Sequence, residues 1–431
     1  MKFTAVGDAI IQRRIQEEFE GFQELTPYIM QGDARFFNLE TTINREGECY
    51  ASAFSGGTYL RANPEVLDDI KKFGFNMTSF NNNHILDFSY RGLECTRDAV
   101  NERGFLHSGT GNNLAEASAP RYLNTKNGRV ALISANTTFD PSAIAGEQSP
   151  RFAGRPGVNG LRIEKSLQLT KEDLECIKRI AKESNINAAK EISRKEGYSP
   201  ELPENQAAFG DLKCFVGETN KHIMKINEKD IERVEKAIYE AKLQADYIIV
   251  SVHCHHTGGN AKENPPEFLQ EFAHRCIDSG ANAIVGHGPH LLRPIEVYKD
   301  SPIFYSLGDF ILQLYDIELA PEDFFAKQGL TSASTVHDLL KKRSKDFTRG
   351  LMTDKRMFMT VIPCWETDGT KLTKLELLPV ELAMTGNHSQ IGLPRVSGDP
   401  EILEYLGAMC VPFGTKIEVG EDGKFICTWK G

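Results

Sequence analysis

The run Tyr247–His256 reads YIIVSVHCHH: six residues suited to a buried strand, then three histidines within four positions. A nearly continuous apolar run of this length, rich in β-branched residues, fits a strand covered on both faces, as in the parallel sheets of α/β proteins. Working outward, further strand candidates are Lys2–Gly7, Arg35–Leu39, Asn76–Phe80, Arg129–Ala135, Ala283–Val285 and Ile303–Leu307. Asn63–Phe73, Gly92–Arg103, Asp230–Gln244 and Pro266–Ser279 carry helical spacing, with Asn63-Pro64 offering an N-cap followed by Pro at the first helical position. Strands alternating with helices predict an α/β core.

In open α/β sheets, polar groups at the carboxyl ends of strands converge on one crevice. Here those ends carry metal ligands: Asp8 after the first strand, Glu40 after the second, Asn81–His84 after the third, then His253, His255 and His256, then His287 and His290. Each has a plainer use. Asp8 and Glu40 can cap helices, Asn81–Asn83 can form a turn, and a lone histidine is usually packed or on the surface. His274, inside a helical stretch, is expected to be such a residue. Asp309, in Gly308-Asp309-Phe310, is expected to cap a helix. Together, carboxylate, amide and imidazole groups form a mixed N/O set that suits Zn, Mn or Fe. Alternate strand residues face one side, so the run leaves open whether His253 or His255 faces a metal.

The bulk properties narrow the class. The chain has 431 residues, 40% hydrophobic and 26% charged, which is globular usage. A formal charge of −10 argues against binding a nucleic-acid backbone. The opening MKFTAVGDAI passes straight into a strand-like run without the pattern of a secretion signal, and no apolar window reaches the ~18–20 residues a membrane anchor needs. Nine scattered cysteines with no CxxC pair fit reduced thiols and a cytoplasmic location. The core is expected within residues 1–315, interrupted by a polar insertion over one face from Asp140 to about Lys229 with a lysine-rich helical stretch at Lys178–Lys195. Residues 316–431 are expected to form a helical and β-rich extension packed on or completing that core. Met357–Trp365 and Leu372–Leu382 alternate like strands, and Thr415–Val419 with Phe425–Trp429 reads as a terminal hairpin.

The segments VGD (Val6–Asp8), NLET (Asn38–Thr41), NNNHILDF (Asn81–Phe88), GRPGVNGLR (Gly154–Arg162), VSVHCHH (Val250–His256), VGHGPH (Val285–His290), YSLGDF (Tyr305–Phe310) and VPFGTKIEV (Val411–Val419) together resemble the CapA family of poly-γ-glutamate capsule synthesis. The fold of that family is similar to calcineurin-like metallophosphoesterases. The resemblance implies a metallophosphatase-like αββα sandwich and a metal-dependent hydrolase acting on a phosphoester or a γ-glutamyl-type amide. It implies one or two divalent ions, Mn, Fe or Zn, held by Asp8, Glu40, Asn83, His253 or His255, His287 and His290. His84 would be the general acid, oriented by Asp87. The chain departs from the phosphoesterase pattern at Ile10, where a histidine is usual, at Glu40, where an aspartate is usual, and in the GHxxH spacing of His287 and His290. Arg61, Arg91 and Arg293, each near one of these segments, are candidates for holding a small anionic metabolite or peptide substrate. The alternative is a non-catalytic accessory protein that binds an anionic polymer or metabolite for capsule synthesis.

Overall fold

The computed structural model describes residues 1–331 and 333–429. The chain divides into two compact units, Met1–Gly160 with Glu232–Gly431, and Leu161–Ile231. In the first, six strands position the site: β1 (Lys2–Ile10), β2 (Ala34–Leu39), β3 (Met77–Ser79), β4 (Tyr247–His253), β5 (Ala283–His287) and β6 (Asp309–Leu312).

The larger of its two main sheets has ten strands, with β1 inside it. One edge of β1 pairs in parallel with β2, which continues to β3 and Leu106–Ser108. The other edge is shared: Lys2–Thr4 pair antiparallel with Met359–Asp368, and Asp8–Ile10 pair in parallel with β6. That register sets Asp8 opposite Asp309. The smaller sheet has six strands, in which Gly128–Asn136, β4, β5 and Ser301–Phe304 are parallel neighbours.

The alternation of side chains along β1 and β2 explains the layering. Phe3, Ala5 and Phe36 share one core with Leu132, Ile249 and Val285 of the smaller sheet, so the two sheets pack face to face. Val6, Phe37 and Leu39 point the other way, against Leu25 and Ile29 of the helix Glu20–Ile29, Ile70 of Val66–Lys72 and Leu93 of Ser89–Glu102. The fold is therefore mixed α/β, with mixed sheets and no barrel among the described residues.

Some local expectations shift. The helix expected from Asn63 starts at Val66, because Asn63-Pro64 is spent on a turn in which the Asn63 carbonyl accepts the Val66 N–H. The lysine-rich stretch is two helices, Lys171–Ser184 and Ala188–Lys195, broken where Asn185 takes a left-handed φ of 56°. The unit Leu161–Ile231 also contains a four-stranded sheet over a small core of Leu169, Leu174, Ala207 and Cys214, while residues 140–160 cluster with the larger unit. Met359–Asp368 and Lys371–Leu382 are strands of the large sheet, with Trp365 buried against Phe3.

Gly7 fixes how closely β1 and β6 approach. A Cβ there would lie 1.8 Å from the Gly308 carbonyl oxygen, which accepts the Asp8 N–H at 2.9 Å. All nine cysteines are free, and no helix among the described residues is long and apolar enough to cross a membrane.

Candidate metal centre

The ends of β1, β2, β4, β5 and β6 and the turn after β3 meet at one place. Both oxygens of Asp8 are engaged: Asn38 Nδ2 donates to Oδ1 at 2.7 Å, and the Gly288 N–H donates to Oδ2 at 2.8 Å. His253 and His287 hold Nδ1 at 3.8 and 3.6 Å from Asp8 Oδ1. Glu40, one residue past β2, differs: it is fully buried, yet neither carboxylate oxygen has a hydrogen-bond donor. The Nε2 atoms of His84, His253, His255 and His290 stand 3.8, 3.7, 3.7 and 3.9 Å from its Oε1. A buried carboxylate without donors costs free energy, and such an atom calls for an explanation. Four imidazoles just beyond hydrogen-bond reach leave room for a cation, so the donor set fits a divalent metal.

Two groups that share no residue can each hold an ion. Glu40, His253 and His255 offer ligand atoms within 4.8 Å of one another, and so do Asp8, His290 and Asp309. A third group, Asp8, His253 and His287, overlaps both. Asn83 adds an amide oxygen 2.7 Å from His253 Nε2 and 3.1 Å from His255 Nε2. The alternatives left open at His253 and His255 are both present: β4 ends at His253, and His255 turns back to the same Asn83 and Glu40 oxygens. Asp309 caps no helix. It opens β6 and meets His290 Nδ1 at 2.9 Å, while its Oδ2 has no donor. It sits beside Asp8, on the edge of β1 where Ile10 brings no ligand.

Burial sets the charges of this cluster. It pushes Asp8 up to about 7, with repulsion from Asp309 adding to it against the pull of His290. Glu40 is driven well above the ordinary carboxylate range by burial and by Asp8. Desolvation and mutual repulsion lower His253 and His255, and desolvation lowers His287 to about 3. Burial opposes the charge on His290, but Asp309 and Asp8 outweigh it and raise the group. Raised carboxylates beside lowered His253, His255 and His287 describe a cluster that favours protons on its acids, protons that a bound cation would displace.

His84 and Asp87 lie beside this cluster. His84 Nδ1 is 2.7 Å from Asp87 Oδ2, and Asp87 also accepts the Gly56 and Leu60 N–H groups at 2.8 and 2.9 Å. The carboxylate so fixed leaves His84 Nε2 facing Glu40.

Asn83, His84, His255 and His290 line a cavity of about 530 Å³. None of the three arginine candidates lines it. Arg61 is engaged by the Asn44 carbonyl, Asn63 and Glu318, and Arg91 pairs with Glu48 and Glu94 on the surface. Arg293 is fully buried and donates to the carbonyls of Lys262, Cys254 and His256 at 3.0, 3.3 and 2.7 Å, so it clamps the loop after β4 from behind. His274 pairs with Glu296 and stacks on Tyr298, away from the cluster, as a packed residue does. The cations on the cavity wall, Lys262, Arg343 and Arg349, carry no motif that would single them out in the sequence. Asp309 did carry a signal, because it follows an apolar run as Asp8 and Glu40 do.

Residues 2–314 match the family described as bacterial capsule synthesis protein PGA_cap. The chain is 31% identical to the uncharacterized protein y4sH of Sinorhizobium fredii, over 96% of this chain and 90% of that one. It is 24% identical to the capsule biosynthesis protein CapA of Bacillus anthracis, over 72% of this chain and 59% of the relative. It is also 26% identical to a probable polyglutamine synthesis accessory protein of Mycobacterium tuberculosis, over 65% of this chain and 55% of that protein. With most of its length matched, from the first strand through the turn that follows β6, the chain belongs to the PGA_cap family of bacterial capsule synthesis proteins.

Proposed function

We propose that the chain is a divalent-metal-dependent hydrolase that cleaves a phosphoester or a γ-glutamyl-type amide in a small anionic metabolite or peptide. The observation that carries this reading is Glu40, a fully buried carboxylate with no donor, faced by four imidazoles. Glu40, Asn83, His253 and His255 would hold one ion, and Asp8, His290 and Asp309 a second, with His287 supporting both. Asp309 then takes the place that the metallophosphoesterase pattern gives to a histidine at position 10. Mn, Fe or Zn in such sites polarises the scissile group and lowers the pKa of bound water from about 15.7 toward 7. Two sheets packed face to face with helices outside support a metallophosphatase-like sandwich. Nine free cysteines support work in the cytoplasm.

The residues of the chain divide the remaining tasks. Asp87 accepts from Nδ1–H of His84, which fixes the tautomer and orientation of the ring. His84 Nε2 delivers a proton to the oxygen or nitrogen of the leaving group, which departs neutral. Arg293 holds the loop that carries His255 in register.

The test is metal content by elemental analysis of protein purified without chelator, followed by a panel of phosphomonoester, phosphodiester and γ-glutamyl substrates. Bound metal together with turnover of one class upholds the reading. A protein that binds no metal, even when Mn or Zn is added, overturns it. The second reading, an accessory protein that binds an anionic polymer or metabolite, draws on the name of the mycobacterial relative. It predicts ligand binding without turnover of any substrate in the panel.

A further inference from the structure

The cavity over the metal centre has a second chemical character, set by Lys262, Arg343 and Arg349 on its wall. Lys262 and Arg349 have no ion-pair partner among the described residues. Arg343 is held by Thr58 Oγ1 and lies 5.3 Å over the Phe324 ring, again without a carboxylate. The one carboxylate on the wall, Asp354, is already taken by Arg356 at 2.7 Å. In a chain of net charge −10, three cations with no carboxylate at ion-pair distance, gathered on one cavity wall, form a local field that draws anions in.

The backbone that presents two of these cations is strained. Lys345, Asp346 and Phe347 have φ of 49°, 58° and 58°, three left-handed residues in a row without a glycine. Left-handed backbone is unfavourable for residues other than glycine, and strain of this kind persists only where the surroundings enforce it. Phe347 is pinned by Tyr315 and His337 at ring distances of 5.5 and 5.3 Å, and its N–H donates to Ser344 Oγ. The tight turn brings Arg349 back to the same cavity that Arg343 lines. Leu314, Leu340 and Met357 also line the cavity and give its wall apolar surface.

We infer that this cavity takes a substrate with two anionic groups. The scissile group lies at the metal centre, and a second carboxylate or phosphate is held on the wall by Lys262, Arg343 and Arg349. This rests on the hydrolase reading for the chemistry at the centre, but the anion site stands on the wall alone. At about 530 Å³ the cavity suits a small metabolite or the end of a short anionic chain.

The test is calorimetric titration of the full chain, stripped of metal with chelator, using inorganic tripolyphosphate as the phosphate probe and triglutamate as the carboxylate probe. At least one probe is expected to bind, and the tighter of the two identifies the anionic group. Lys262→Met and Arg349→Met should each weaken binding about tenfold, since each removes a charged hydrogen-bond donor to the probe. Both side chains are exposed, so folding is expected to survive, and an unchanged melting temperature verifies it. Arg349→Lys should recover part of the loss, and Arg91→Met should change nothing. The proposal is overturned if neither probe binds at millimolar concentration, or if both Met variants bind like the wild type. Because these titrations use no metal and no turnover, their failure is separate from failure of the hydrolase reading.

Discussion

Asp8, Glu40, His253 and His287 stand at the ends of buried strands and are themselves buried, with no freedom to turn away from one another. Lys262, Arg343 and Arg349 come from a loop, a helix end and a strained turn, and all three are exposed. The two regions also differ in origin along the chain, since the family match ends at residue 314 and both arginines lie beyond it. The buried cluster and the cavity wall above it answer to different physical demands. Reactive chemistry needs ligands held rigidly by the sheet, whereas recognition of a particular anion needs only charges placed within reach.

The contrast can be broken first at the cluster. Asp8→Ala should remove bound metal and abolish hydrolysis while leaving tripolyphosphate or triglutamate binding intact, as elemental analysis, rates and calorimetry would establish together. His84→Gln separates chemistry from metal: kcat should fall about 10²–10⁴-fold with metal content unchanged. Asp87→Asn, acting through His84, should cost on the order of 10–100-fold and shift the alkaline limb of the rate profile, where a general acid loses its proton, a change a purely structural role would not make. At the wall, Arg349→Met should raise KM about tenfold and leave kcat nearly unaltered, as the loss of binding common to ground and transition states requires.

The smallest effect is a pH dependence of stability. Burial raises folded Asp8 from 3.8 to about 7, so metal-free folded protein binds that proton more tightly than the unfolded chain. Its contribution is present below about pH 4 and is lost as pH rises through about 7. Asp8→Asn should therefore gain stability relative to metal-free wild type as pH rises across that range, measured by melting temperature. Added Mn or Zn should remove the wild-type loss. No difference between the two proteins across the range would contradict a buried, proton-holding Asp8.

What was legible in the sequence follows the same division. The strands of the core and the terminal hairpin carry strong β-branched runs, and the ligands follow them directly, so Asp8, Glu40 and the histidines stand out from spacing alone. Asp309 obeys the same rule but was overshadowed by the capping role that Asp plays so often. The helix Glu20–Ile29 gives little signal because Gly21 and Pro27 dilute its pattern, and it is held by burying Leu25, Tyr28 and Ile29. The wall was not legible. Surface arginines are common, and which of them meet over a cavity depends on tertiary packing that no local pattern encodes. Proximity in sequence to a motif selected Arg61, Arg91 and Arg293, yet strand ends diverge into loops that carry their neighbours elsewhere.

Gly7 gives the division a practical edge. No atom of it reaches an ion, yet any side chain there collides with the Gly308 carbonyl and pries apart the strands carrying Asp8 and Asp309. A saturation library scored by turnover would rank position 7 beside the ligands themselves. Its losses would arise from a ligand pair set too wide, so excess Mn should restore some activity to Gly7→Ala and none to Asp8→Ala. Anyone choosing positions for redesign should treat this glycine as part of the buried cluster, although it has no side chain to offer.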